Sequence, residues 1–436
     1  MNNTALLSHI SLILLVSLTF NGISGIDEIN IQQHDQNNSY LYNKYIESPP
    51  IFAGASSKTI TPDLYQHDPI YLAGFGRGRK ATGIHDDIWS RCCCIRIKDT
   101  TFAIVSVDLI GIMYSEYHRI IERIPESITI DHIILSSTHN HEGPDVIGLW
   151  GPGVSTGIHW GWYEETMDII AETIIEAYIS MVPAGLRFGH ADRDSRDPRC
   201  TDDQVETIQL VDYNLTPIST MIFYGSHPEV LWDKNTLITS DYPHYIYQHI
   251  EETVGGTAVF VIGAIGGLIT PQVPGHSFED AQLFGTALAA LCLESIQNSS
   301  VIWDTMIHID SQEIYIPLTN PVFRVASILG ILNRPIYHLR RDVMTAVCVI
   351  ELGEEGSLAQ IVTVPGEEFP ESWLELKEKL YADHRILIGL GLDELGYIVP
   401  SEDFDWREYE ESMSASWFLD QRIHQVLERM LNIKDL

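Results

Sequence analysis

From Ile51 onward, short β-branched runs alternate with longer amphipathic stretches, and this alternation most constrains what the chain can fold into. Strand-like segments fall at 102–107, 133–137, 205–211, 218–224, 258–262, 346–352 and 361–364. Helices are expected at 114–123, 162–181, 242–253, 279–297, 372–380 and 406–431. Within 162–181, Met167, Ile170, Ile174 and Ile175 recur on one face at helical spacing. Strands interleaved with helices predict the α/β class: mixed β-sheets covered by helices. Residues 313–340 break the rhythm and read as an insertion or a lid.

Composition restricts the partners. Apolar residues at 45% suffice for a sizeable core, while 60 acidic against 26 basic residues leave a net charge of −34. That balance opposes nucleic-acid binding through phosphate neutralisation and tight electrostatic docking on anionic lipid. No nucleic-acid partner is expected. Peripheral membrane contact stays open, and the sequence does not fix an oligomeric state.

Residues 1–25 hold no Lys or Arg and one apolar stretch, ISLILLVSLTF at 10–20, followed by Gly22, Ser24 and Gly25. The stretch is short for a bilayer span and reads as a secretory signal peptide, with an uncleaved anchor as the alternative. A secreted or extracytoplasmic location follows. Residues 26–50 read as a polar linker and 51–436 as the folded domain. Of six cysteines, Cys92, Cys93 and Cys94 lie in the strand-like RCCCIRI run, where alternate side chains face opposite ways. They read as small buried hydrophobes, with one or two disulfides allowed in a secreted chain. Asn37, Asn214 and Asn298 begin N-x-S/T sequons.

The densest local signal is SSTHNHEGPD at 136–145, entered from the apolar run 133–135. On an extended chain, residues two apart project to the same side, so His139 and His141 can address one point. Two imidazoles there suit a divalent metal; two solvated loop histidines are the competing reading. His227, in FYGSHPE at 223–229, also follows a β-run, although a lone histidine there is often structural. Glu367 follows Gly366, which permits a sharp turn after the 361–364 strand. Alone, it would be a surface carboxylate.

Taken together, AGA at 53–55, ITP at 60–62, AGFG at 73–76, GIHDDIWSR at 83–91, VSVD at 105–108 and STHNHEGP at 137–144 resemble the neutral/alkaline, non-lysosomal ceramidase family. SHP at 226–228, PGE at 365–367 and GYI at 396–398 follow in the family's order, and the resemblance covers about residues 51–430. It implies a zinc hydrolase domain in which His139, His227, Glu367 and Tyr397 hold Zn2+. By the same resemblance His141 polarises the substrate, Arg196 lies beside it, and Tyr409 is a further active-site tyrosine. Two departures stand out. The family's serine in G-D-x-S-P falls on Thr270 in GGLITP at 266–271, and Leu268 replaces the aspartate. The C-terminal immunoglobulin-like domain of larger members is not expected.

These features lead to one expected activity, a zinc-dependent amidohydrolase that cleaves an N-acyl bond of ceramide or a related N-acyl lipid with zinc-activated water. Two imidazoles and a carboxylate hold zinc while leaving a position for water, whose pKa the metal lowers toward neutrality. Thr270 keeps a hydroxyl, but its β-methyl restricts χ1 and disfavours a nucleophilic role. The alternative is a catalytically impaired lipid- or ligand-binding homologue that retains a structural zinc site. A β-lactamase-like metallohydrolase would want aspartate where Gly143 stands, and is disfavoured. His85 lies in a motif near the family's pocket. Asp108, Asp241 and Arg91 either orient the histidines or close a buried ion pair. Arg77-Gly-Arg-Lys80 and Arg340-Arg341 read as solvated loop charges.

Overall fold

The computed structural model describes residues 50–193, 202–337, 339 and 341–432, and within them three sheets of four or five strands surround one apolar centre. In chain order the strands begin with β1 (Ile51–Thr59), β2 (Gly83–Ile84), β3 (Trp89–Ile97), β4 (Thr100–Val107), β5 (His132–Ser137) and β6 (Val182–Pro183). Next come β7 (Gly185–Asp192), β8 (Gln204–Val211), β9 (Pro217–Tyr224), β10 (Leu237–Ile238), β11 (Thr257–Ile262) and β12 (Ile307–Pro317). Last are β13 (Asp342–Leu352), β14 (Ala359–Thr363), β15 (Glu367–Glu368), β16 (His384–Ile388) and β17 (Tyr397–Ile398). The helices are α1 (Tyr114–Ile121), α2 (Trp160–Ile179), α3 (Tyr242–Val254) and α4 (Phe278–Ile296). They continue with α5 (Pro321–Ile328), α6 (Pro370–Lys379), α7 (Tyr409–Ser412) and α8 (Leu419–Met430).

The sheets run β5-β4-β3-β1-β6, β11-β9-β8-β7 and β12-β13-β14-β16. Each is antiparallel except at one parallel join: β4–β5, β9–β11 and β14–β16. Their inner faces meet through residues such as Ile104, Phe223 and Ile350. Helices cover the outer faces: α2 on the first sheet, α3 and α4 on the second, α6 and α8 on the third. Met167, Ile170 and Ile174 of α2 are buried as their spacing predicts. Each large aliphatic side chain removed from water contributes about 1.5–3 kcal/mol. The pleat also sorts the cysteine triplet, with Cys93 facing the centre and Cys92 and Cys94 packing under α2. All three are free thiols, as are Cys292 and Cys348, so no disulfide forms among the described residues.

Two segments differ from expectation. The single helix expected over 406–431 is two, α7 and α8, because the buried Asn320 side chain donates to the carbonyls of Ser412 and Ser414, both at 2.9 Å. The described residues of 313–340 carry regular structure where the sequence rhythm breaks. They contain the end of β12 and then α5, whose first turn Asn320 caps by accepting from Val322 N at 2.9 Å and Phe323 N at 3.2 Å. No helix among the described residues is long and apolar enough to cross a membrane. The expected signal peptide at 1–25 lies outside them, as do Arg196, Cys200 and Arg340.

Candidate metal centre

The parallel joins decide where chemistry can occur, because they bring the C-terminal ends of strands from all three sheets to one place. β5 runs out toward His139 and His141, β9 toward His227, β14 toward Glu367 and β16 toward Glu394. In α/β folds the crevice beyond the carboxyl ends of strands is the usual ligand site.

Ligand atoms of His139, His141 and His227 all lie within 4.8 Å of one another. Glu367 Oε2 is 3.2 Å from His227 Nε2 and 3.5 Å from His139 Nε2. Two ligand atoms at tetrahedral angles about one zinc lie roughly 3.4 Å apart, so these spacings fit a shared ion. The opposite ring nitrogens are anchored to the main chain. His139 Nδ1 donates to Ile110 O at 2.7 Å and His227 Nδ1 to Ile269 O at 2.6 Å. Such bonds fix the tautomer and aim each Nε2 at the common point. Tyr397 and Glu367 are register partners of β15 and β17, and both line the cavity at the cluster.

The His139 and His141 rings do converge, with centroids 5.0 Å apart, though not by strand alternation. His139 has φ +61°, in the left-handed region, which costs a non-glycine residue on the order of 1 kcal/mol. Its neighbour holds the turn: Asn140 Nδ2 donates to Thr239 O at 2.8 Å. Gly74 completes the fit, because a Cβ there would lie 2.3 Å from the His141 ring. His141 Nδ1 is 2.9 Å from Glu229 Oε2 without hydrogen-bond geometry.

Electrostatically this is a site short of positive charge. Burial, then the neighbouring imidazoles, holds His139 and His141 well below the usual histidine range. Burial raises Glu367, Glu394 and Tyr397 well above their ordinary values. A divalent cation would reinforce the neutral state of the imidazoles and reverse the upward shifts of the oxygen groups, because it favours neutral imidazole and ionised oxygen together. The donor set of two imidazoles, a carboxylate and a phenol therefore fits zinc.

Beside the cluster opens a cavity with about 670 Å³ of empty space, part of it exposed to solvent. Ile110, Met113, Ile147, Leu149, Phe323 and Leu332 form much of its wall, and His139, His141, Glu367 and Tyr397 its polar end. Tyr409 also lines it, its ring 6.2 Å from that of Tyr397. Sequence reading missed Glu394 and Arg334, which line it too. Arg334 is held by Asp393, Nη1 to Oδ2 at 3.1 Å, and by Glu394 O at 2.6 Å. Glu394 Oε2 lies 3.9 Å from His139 Nδ1 with no hydrogen-bond partner. Glu367 was marked as a carboxylate that follows a strand and a turn, and Glu394, after β16 and Gly391, stands in a similar setting.

Other residues are placed differently. Thr270 is half-buried one residue beyond the carbonyl that holds His227, and does not line the cavity. His85 bonds Asp86 at 2.7 Å and stacks on Phe278. Asp108, Asp241 and Arg91 do not orient the histidines. Asp108 accepts from Ser240 and Tyr247, Asp241 caps α3, and Arg91 pairs with Glu251.

No family model matches the sequence, and no curated protein does. Solved structures match the fold. Neutral ceramidase from Pseudomonas aeruginosa superposes with a TM-score of 0.72 at 17% identity, over 88% of this chain and 74% of that one. A second structure, described as ceramidase complexed with C2, gives 0.71 at 15% identity, over 88% and 75%. The chain has a neutral-ceramidase-like fold. The mixed sheets and covering helices expected from the sequence are those of the neutral ceramidase neighbours.

Proposed function

We propose that the chain is a zinc-dependent amidohydrolase that cleaves the N-acyl bond of ceramide or a related N-acyl lipid in an extracytoplasmic location. One observation carries this reading: an apolar-walled cavity ends at a buried cluster of histidines, a glutamate and a tyrosine. An aliphatic chain matches the walls, and its carbonyl head matches the polar end. In this reading His139, His227, Glu367 and Tyr397 hold the zinc. When bound, zinc supplies Lewis acidity that polarises a carbonyl and lowers the pKa of water.

The protein's own groups do the positioning. The Ile110 and Ile269 carbonyls keep the Nδ1 protons of His139 and His227, leaving their Nε2 lone pairs facing inward. His141, kept in place by Gly74, serves as a donor to charge developing on the substrate oxygen. Tyr409, on the cavity wall, contacts the substrate; the resemblance alone assigns Arg196 beside it, and Thr270, off the cavity wall, is given no direct contact. The apolar walls exclude water, which strengthens each polar interaction. The outer face of α5 exposes Val322, Val325 and Ile328, next to Phe323 of the cavity wall. This supports capture of substrate at a lipid surface without basic residues.

Fatty-acid release from N-acyl sphingoid bases, N-acyl amino acids and simple esters tests the reading, with Glu367→Gln as control. Cleavage of N-acyl sphingoid bases that the variant loses is the expected result. Amides left intact by the wild type, or cleaved equally by the variant, would refute it.

A further inference from the structure

Glu367 and Glu368 are consecutive on β15, so their side chains leave on opposite sides. Glu367 enters the cavity just described, whereas Glu368 meets α8. There, Asp420 and His424 stand one turn apart on the same helix face. His424 Nε2 is 2.8 Å from Glu368 Oε1 and 3.9 Å from Asp420 Oδ1. Ligand atoms of the three residues lie within 4.8 Å of one another.

We propose that Glu368, Asp420 and His424 form a second divalent-cation site, separate from the cavity cluster. An ion pair between His424 and Glu368 accounts for one carboxylate oxygen and no more. Glu368 is fully buried, and its Oε2 has no hydrogen-bond partner. Leaving a buried acceptor unmade is costly, and such groups call for a missing ligand. A cation on this carboxylate would satisfy that oxygen and draw in Asp420 as well.

Access and charge agree. Asp420 and His424 line a second cavity with about 820 Å³ of empty space, open to solvent. Glu371, Glu375, Glu402, Asp403 and Glu428 also line it, and its lysine, Lys379, is paired with Glu428. An acidic mouth raises the local concentration of cations. One imidazole nitrogen with two carboxylates suits a divalent transition ion such as zinc or manganese, with water completing the shell. The ion would fasten α8 to β15, bracing from behind the strand that carries Glu367.

The test is zinc content of the full-length protein, stripped with chelator and then equilibrated with zinc chloride. Two zinc ions per chain are expected for the wild type, one for Asp420→Asn/His424→Gln, and one for His227→Ala. A wild type that binds a single ion and keeps it in Asp420→Asn/His424→Gln overturns the proposal, as do two ions that survive there or a wild type that binds none. A single wild-type ion lost only in Asp420→Asn/His424→Gln supports this site and instead counts against the cavity cluster. To separate binding from misfolding, thermal unfolding is followed in the His227→Ala background. Zinc should raise its melting temperature by several degrees, and adding Asp420→Asn, which preserves side-chain shape, should abolish the rise. An undiminished rise would also overturn the proposal.

Discussion

Glu367 and Tyr397 face each other as register partners across the two-residue parallel ladder of β15 and β17. The ladder sets carboxylate and phenol side by side on the cavity wall, though the two are far apart in the sequence. It depends on Gly396, which has φ +80° and whose Cβ would fall 1.8 Å from Met413 O. Tyr397→Phe keeps the ring and removes the oxygen. It should weaken zinc binding about 10–100-fold, the range typical of losing a group that supports a metal site. Competition against a chromophoric chelator measures this, and unchanged affinity would remove the tyrosine from the ligand set.

Gly74→Ala tests His141 separately. The new methyl group must displace the His141 ring, while the Nε2 atoms of His139 and His227 keep their main-chain anchors. The expected result is a fall in kcat of at least about tenfold with zinc content unchanged, as for misplaced groups near reacting atoms. Equal loss of zinc and activity would make His141 a ligand instead.

Asp108 provides a pH test away from the cavity cluster. Burial pushes its carboxyl up from 3.8 to about 6, against the pull of Ser240, Arg91 and Tyr247. The folded protein thus holds this proton more tightly than the unfolded chain does. The resulting stabilisation is complete below pH 3.8 and lost as pH rises through about 6. Its ceiling is about 3 kcal/mol. Asp108→Asn cannot titrate, so the stability of wild type relative to variant should decline between pH 4 and pH 7. Urea unfolding across that range checks it, and a flat difference would contradict it.

The exposed face of α5 yields a prediction about substrate delivery. Val322 is 68% and Val325 56% exposed, and both flank Phe323 of the cavity wall. Val322→Glu/Val325→Glu should cut hydrolysis of N-acyl lipid in vesicles about tenfold or more, since each buried side chain contributes about 1.5 kcal/mol or more. Hydrolysis of a monomeric short-chain amide should not change. Equal losses on both substrates would show that the helix shapes the cavity rather than meeting lipid.

Much of the fold was legible because buried β-branched runs mark strands wherever both faces are covered. The expected 133–137 and 258–262 segments are β5 and β11 to within a residue. β12 escaped notice because it carries polar, exposed residues such as Ser311, Gln312 and Glu313. The break between α7 and α8 depends on Asn320, distant in sequence and with no local signal. At the site, His139, His227 and Glu367 were legible as strand-end residues within recognisable motifs. The carbonyls of Ile110 and Ile269 were not, since every residue carries one. The left-handed turn at His139 was also hidden, because histidine gives no hint of positive φ as glycine would.

The most direct test of the account is amide hydrolysis before and after zinc removal. Wild-type protein is assayed on an N-acyl sphingoid base as isolated, after exhaustive chelation, and after stoichiometric zinc is restored. The account predicts that activity disappears on chelation, returns with zinc, and does not return in His227→Ala. Activity that persists through complete zinc removal would contradict it.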